Sequence, residues 1–364
     1  IKKKPVKADI EGPIIEVKSE IVSKSPEYTI KGKVKDKASE VMTLHVNGEP
    51  ISIDQLGKFI ITRFNPSGET LEIKAWDEWA NSTVVSVKVI VEEEAIADIK
   101  DVFEPLKLPT RRIKQDNNKV AIVIGIENYE NAPKAAFANR DAEFFTEYLK
   151  RVFGVPRQNL ITLRDEEAKL IPLFTTLEKW LPGVAGDGGR DIYVFYAGHG
   201  LSSDDGKELY LLAHNSDPDL LKRTAILRSD LFSLIDEQKP KSVTIFFDTC
   251  YSGPSRDGEM LIDDSRPIRI AADDDNNIPS NFNIFSAAKS DQISSSIPEI
   301  KHGIFSYYLM KGLEGKSDVN NDHKITNQEL IDYLNSNTRR VAAKVGRKQN
   351  PVLTGDPDQV LMKY

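Results

Sequence analysis

The chain carries one cysteine, Cys250, and five histidines, at positions 45, 199, 214, 302 and 323. Cys250 stands in Asp248-Thr249-Cys250-Tyr251-Ser252-Gly253, and His199 in Tyr196-Ala197-Gly198-His199-Gly200. Each motif closes an apolar run, 192–197 for the histidine and 242–249 for the cysteine. Such runs mark strands buried on both faces of a parallel sheet. Ligands of open parallel sheets bind beyond the carboxyl ends of the strands, so both side chains are delivered to one edge. A thiol becomes a strong nucleophile when a nearby imidazole takes or balances its proton. The flanking glycines permit tight turns and close approach of a substrate backbone. The backbone N–H groups of Gly200 and Cys250 are candidates for stabilising the oxyanion of a tetrahedral intermediate. A lone cysteine is more often a small buried hydrophobe, and a lone histidine is usually structural. The two together, at strand ends and beside glycines, point to nucleophilic catalysis.

The elements that must position this pair begin at Lys119. A buried run at 120–126 is followed by a helical segment (138–153), an extended piece (159–163) and a helix reaching Trp180. The His199 and Cys250 strands come next, separated by a helix at 227–237. A strand at 282–287, helices at 303–313 and 326–341, and a strand near 351–353 complete the pattern. Alternating strands and helices predict an α/β domain over 119–364, with helices on both faces of the sheet. Residues 12–92 read differently. Short Val, Ile, Thr and Tyr-rich runs are separated by turn residues such as Asn47-Gly48 and Pro66-Ser67-Gly68. Six or seven strands in that length predict an all-β sandwich over 1–92, with His45 as a plain strand residue. Residues 93–118, with two prolines and Arg111-Arg112-Ile113-Lys114, read as a linker.

Four segments carry a family resemblance: KVAIVIGIENY (119–129), ANRDAEFFTEYL (138–149), DIYVFYAGHG (191–200) and VTIFFDTCYSG (243–253). Over Lys119 to Leu361 the chain resembles the caspase and metacaspase superfamily of cysteine endopeptidases. The resemblance implies a mostly parallel six-stranded sheet, Cys250 as nucleophile and His199 as general base or acid. The animal caspase signature Q-A-C-R-G is replaced by Asp248-Thr249-Cys250-Tyr251, which groups the chain with bacterial metacaspase-like enzymes. Their usual residue after the cysteine is His rather than Tyr251. The segment 28–81 is similar to bacterial immunoglobulin-like modules, which are mostly spacers or adhesive surfaces.

Asp141 and Asp248 match positions that in metacaspases line an acidic pocket for the residue before the cut. Asp248 lies two residues before Cys250, so on an extended strand the two side chains share a face. A guanidinium between two carboxylates gains charge-assisted hydrogen bonds. The expected protein or peptide substrates therefore have Arg, then Lys, at P1, with Arg140 able to weaken the pocket if it folds inward. The long acidic stretch 253–280 occupies the place where caspase relatives are self-cleaved. Arg256 and Arg269 are the processing candidates there. Arg266 precedes Pro267 and is a poorer one, and Arg111-Arg112 is a further possible cut.

No cofactor is needed for this chemistry, but calcium is expected as a possible modulator. Asp318, Asn320, Asp322, Thr326 and Glu329 occupy positions 1, 3, 5, 9 and 12 of an EF-hand-like loop. The carbonyl of Lys324 is available at position 7, Ile325 is at the hydrophobic position, and His323 replaces the usual glycine. Asp204 and Asp205 resemble a second calcium-binding acidic loop of some metacaspases. The scattered histidines exclude a zinc cluster, and no P-loop or dinucleotide glycine pattern is present. A net charge of −7, from 49 basic and 56 acidic residues, provides no field for nucleic acid. No run approaches 18 apolar residues, so no membrane segment is read. The rival reading is a catalytically silent caspase-like scaffold with an adhesive sandwich. The sandwich hints at export to the periplasm or beyond, and the oligomeric state is left open.

Overall fold

The structure, a computed structural model, describes residues 9, 11–24, 27–39, 42–51, 53–54, 56–64, 68–91, 103–110, 112–203, 205–249, 251, 278–289, 292, 294–344 and 347–363. It divides into two compact units, Ile1–Val102 and Phe103–Tyr364.

The described part of the first unit is all-β. Its strands are β1 (Ile14–Glu16), β2 (Glu20–Ser23), β3 (Glu27–Lys35), β4 (Thr43–Val46), β5 (Glu49–Ile51), β6 (Lys58–Phe64), β7 (Glu69–Trp76) and β8 (Ser82–Val91). They form two sheets, ordered β1-β3-β6 and β2-β8-β7-β4-β5. The chain's first stretch is split between the sheets, and β2 runs parallel to the last strand, β8. In immunoglobulin lettering the sheets are A-B-E and A′-G-F-C-C′, an immunoglobulin-like sandwich. Strict alternation drives it. Leu71, Ile73 and Ala75 of β7 and Val87 and Val89 of β8 face the core, while their neighbours face out. His45 is a strand residue, with Nδ1 3.1 Å from the Gly48 carbonyl and its ring edge-on to Trp76.

The second unit is built on a six-stranded sheet. Its strands, in chain order, are β9 (Lys119–Gly125), β10 (Leu160–Arg164), β11 (Asp191–Ala197), β12 (Gly200–Ser202), β13 (Leu209–Leu212), β14 (Ala225–Leu227), β15 (Ser242–Asp248), β16 (Phe282–Ser286), β17 (Ser296–Ile297), β18 (His302–Gly303), β19 (Lys324–Thr326), β20 (Val352–Thr354) and β21 (Val360–Lys363). The main sheet has the order β10-β9-β11-β15-β16-β20. Its first five strands are parallel and β20 is antiparallel. After the first residue, β9, β11 and β15 are buried on both faces, because each face carries its own helical layer. Helices Ala138–Arg151, Ile304–Lys311 and Asn327–Lys344 cover one face. Residues 170–185 and helix Arg228–Asp236 cover the other.

Aromatic packing holds the first layer. Phe145 stacks on Phe195 at 4.5 Å, and Phe246 on Phe285 at 5.2 Å. Each such pair adds roughly 0.5–1.5 kcal/mol beyond area burial. Small elements outside the main sheet were not read from the sequence: the β12-β13-β14 sheet, the β17-β18 hairpin and the β19-β21 pair. They are two to four residues long, below the length at which periodicity is visible.

Residues 103–110 and 112–118 pack with the second unit. Leu106 is buried in its core, Phe103 meets Tyr307 edge-on at 6.0 Å, and the Tyr307 hydroxyl donates to the Glu104 carbonyl at 2.8 Å. Residues 93–102, the rest of the expected linker, lie outside the described residues. Among the described residues no helix is long and apolar enough to cross a membrane.

Candidate active site

Strands β11 and β15 are adjacent and parallel, with Ala197 paired to Asp248 at their ends. The Gly198 N–H donates to the Asp248 carbonyl at 3.3 Å, so the two motifs leave the sheet side by side. Gly200 is needed for the next step. A Cβ there would stand 2.7 Å from the Tyr251 ring and 2.9 Å from Thr249 Oγ1. The residue after His199 is thus pressed against both neighbours of Cys250. Cys250 itself lies outside the described residues. Thr249 and Tyr251 are buried, and the Arg228 guanidinium lies over the Tyr251 ring at 5.6 Å.

His199 is 1% exposed. Its Nε2 is 2.9 Å from the Pro133 carbonyl oxygen. A carbonyl only accepts, so in the neutral ring Nε2 holds the proton and Nδ1 is the basic nitrogen. The backbone is fixed as firmly. The His199 N–H donates to the Tyr129 hydroxyl at 2.7 Å, and the His199 carbonyl accepts from Tyr196 Oη at 2.7 Å. The Tyr129 ring lies 4.8 Å from the imidazole, centroid to centroid.

The loop carrying Tyr129 is pinned by Asp165, the residue after β10, which sits at φ 42°. Its carboxylate accepts the Glu127 and Asn128 N–H groups, each at 2.9 Å, and the side-chain amides of Asn128 and Asn139. Burial pushes its pKa up, but these donors outweigh burial and hold it below the ordinary carboxylate value.

Asp141 and Asp248 are both fully buried, and both turn to the segment 294–306. One Asp141 oxygen accepts from His302 Nδ1 at 2.6 Å, the other from the Gly303 N–H at 3.0 Å. Ser294 Oγ donates to Asp248 Oδ1 at 2.6 Å, and Ser306 Oγ donates to Oδ2. Arg140 does not cross onto Asp141. Its Nε donates to His302 Nε2 at 3.3 Å, and its guanidinium lies over Phe144.

The loop 318–329 folds on its own carboxylates. Asp318 accepts the N–H groups of Asp322 (3.2 Å) and His323 (3.0 Å). Asn320 accepts from the Asp322 N–H, and Asp322 from the Lys324 N–H. His323 adopts φ 62°, the left-handed value for which such loops use glycine, and Ile325 is fully buried. Thr326 and Glu329 form a capping box at the start of helix Asn327–Lys344. Asp205 is exposed and bonded to Ser203 Oγ at 2.7 Å, which lowers its pKa. Asp204, Arg256, Arg269 and Arg111 lie outside the described residues. Among the described residues, Asp9, Asp36 and Asp77 of the first unit are the group of three acidic or histidine side chains whose ligand atoms all lie within 4.8 Å of one another.

Sequence reasoning missed Tyr129, Pro133, Asp165, Ser294, His302 and Ser306. Pro133 acts through its carbonyl, which has no side-chain signature. The two serines and His302 reach their partners across 46 to 161 residues of chain. Of these, only Tyr129 lies within one of the four segments that carry the family resemblance.

The caspase-domain family model matches residues 118–361. That is well over half of the chain, and the chain belongs to the caspase family. No curated protein matches it. Among solved structures, a titin M4 domain aligns at 10% identity over 22% of this chain and 97% of its own, with a TM-score of 0.18. The fibronectin(III)-like modules of Clostridium thermocellum CbhA align at 21% identity over 23% and 48%, with a TM-score of 0.19. The titin M3 domain aligns at 14% over 22% and 98%, with a TM-score of 0.17. The immunoglobulin-like arrangement of the first unit rests on its own strand order.

Proposed function

We propose that the chain is a cysteine endopeptidase that cuts after arginine, with lysine second. One observation carries the reading: His199, with Nε2 tied to the Pro133 carbonyl, stands beside the strand end that leads into Cys250. In the proposed reaction Nδ1 of His199 takes the Cys250 thiol proton. The thiolate sulfur bonds to the scissile carbonyl carbon, and the N–H groups of Gly200 and Cys250 hold the oxyanion. The C–N bond then breaks, and His199 returns the proton to the leaving amine. Water, deprotonated by the same imidazole, bonds to the acyl carbon of the thioester; the C–S bond breaks, freeing the carboxylic acid product and returning Cys250 and His199 to their starting forms.

For P1, the support is that Asp141 and Asp248 are both fully buried and both face one segment. Two charge-assisted hydrogen bonds from a guanidinium give about 3 kcal/mol over a neutral side chain, or about 100-fold in kcat/KM. The test is turnover of a fluorogenic Arg-ended peptide by the native chain, Cys250→Ala and His199→Ala. Activity that survives Cys250→Ala, or no turnover and an unreactive thiol in the native chain, overturns the reading.

Processing after Arg256 or Arg269 belongs to the same proposal and is read by intact mass. Calcium modulation through 318–329 is supported by His323 at φ 62° in the sixth loop position. Calorimetric titration of the native chain and Asp318→Ala with calcium tests it. Equal heats from both, or none from either, remove calcium from the proposal.

A further inference from the structure

Gln349 is 1% exposed, and every polar atom of its side-chain amide is used. Its Oε1 accepts the Ser295 N–H at 3.0 Å. Its Nε2 donates to the Ala287 carbonyl at 3.2 Å and to Ser294 Oγ at 3.3 Å. The amide cannot be turned over, because that would set oxygen against the Ala287 oxygen and NH2 against an N–H donor. Ser294 Oγ therefore accepts from Gln349 and has one hydrogen left to give. That hydrogen goes to Asp248 Oδ1, 2.6 Å away. The result is a one-way chain from amide to hydroxyl to carboxylate, ending two residues before Cys250.

The same amide ties together three stretches of chain: the end of β16 through Ala287, the loop before β17 through Ser294 and Ser295, and its own approach to β20. Its neighbours reinforce the tie. Arg347 Nη1 donates to Ser295 Oγ at 3.3 Å, and the Asn350 N–H donates to Gln292 Oε1 at 2.8 Å.

We infer that Gln349 is a positioning residue for P1 selection, acting through Ser294 on Asp248 and not on the Cys250–His199 chemistry. The inference rests on the reading of Asp248 as a P1 carboxylate. Without Gln349 the Ser294 hydroxyl is free to turn, and Asp248 loses a fixed partner on Oδ1.

The test measures second-order inactivation of Cys250 in the full chain by three reagents. Two are peptidyl chloromethyl ketones that differ only in ending in Arg or Leu, and the third is iodoacetamide. Gln349→Met keeps the side chain's length and removes the donor. It should lower the Arg-to-Leu rate ratio by about tenfold, the value of one hydrogen bond to a charged group, and leave the iodoacetamide rate unchanged. Ser294→Ala, a smaller change in the same chain, should lower the ratio equally, and the double variant no further. A native chain that does not prefer the Arg reagent sinks the P1 reading and this inference with it. A native preference that survives Gln349→Met and Ser294→Ala overturns the inference alone. So does a parallel loss with iodoacetamide, which would make Gln349 a general structural support.

Discussion

Gly200→Ala tests the juxtaposition on which the active-site reading depends. The added carbon would stand 2.7 Å from the Tyr251 ring and 2.9 Å from Thr249 Oγ1. Carbon contacts are comfortable at roughly 3.5–4.0 Å, so the buried Tyr251 and Thr249 side chains, or the segments that carry them, must shift by about 1 Å. Backbone strain plays no part, since Gly200 is not among the positive-φ glycines. Overpacking of this kind costs about 1–3 kcal/mol, which lowers Tm by a few degrees in a unit of this size. The functional loss should be larger. A displacement of about 1 Å between catalytic groups can cost about 100-fold in rate. The assay pairs thermal unfolding with turnover of the Arg-ended peptide and iodoacetamide labelling of Cys250. Turnover should fall by about 100-fold, with slower labelling, while the chain remains folded at 25 °C. Gly183→Ala is the control, because nothing lies within 4 Å of the position where its Cβ would stand. Native turnover and labelling in Gly200→Ala would refute the claim that Gly200 sets the spacing between His199 and the Cys250 strand.

Gly183→Ala should itself raise stability by about 0.5–1 kcal/mol, since Gly183 is helical and the methyl meets open space; a lower Tm would contradict this. Asp165 contributes stability that is present above its unfolded pKa, near 3.8, and lost as pH falls through its lowered folded value. The Tm of Asp165→Asn should therefore fall less steeply than that of the native chain below about pH 4, and parallel slopes would count against the Asp165 network. Thr326→Ala removes one half of the capping box on helix Asn327–Lys344 and should cost about 1 kcal/mol in denaturant unfolding. No loss there would mean that Glu329 alone satisfies the helix start.

The local signals in this sequence were strong where burial is two-sided. The apolar runs in β9, β11 and β15 could only be central strands, and the helices between them needed no tertiary information. The sandwich was equally plain, because β7 and β8 alternate without a break. Local signals are weak where an element is short or a partner is remote. Residues 103–118 look like a linker by their prolines and basic patch, yet Phe103 and Leu106 pack into the second unit. By sequence Arg140 is free to fold toward Asp141, but His302 and Phe144 hold it away.

Sequence alone determined that a histidine and the chain's single cysteine each stand two residues beyond a buried strand. Residue type and period encode that much, because a strand buried on both faces has no polar side on which to hide an error. The tertiary structure decided which strands are neighbours, which imidazole nitrogen is basic, and what holds each buried carboxylate. The last two depend on the Pro133 carbonyl, which accepts from His199, and on hydrogen bonds from Ser294, His302, Ser306 and Gln349, groups brought together only when distant segments close over the sheet edge. A backbone carbonyl or a buried amide carries no periodic signal, so its role appears only once the chain has folded around it.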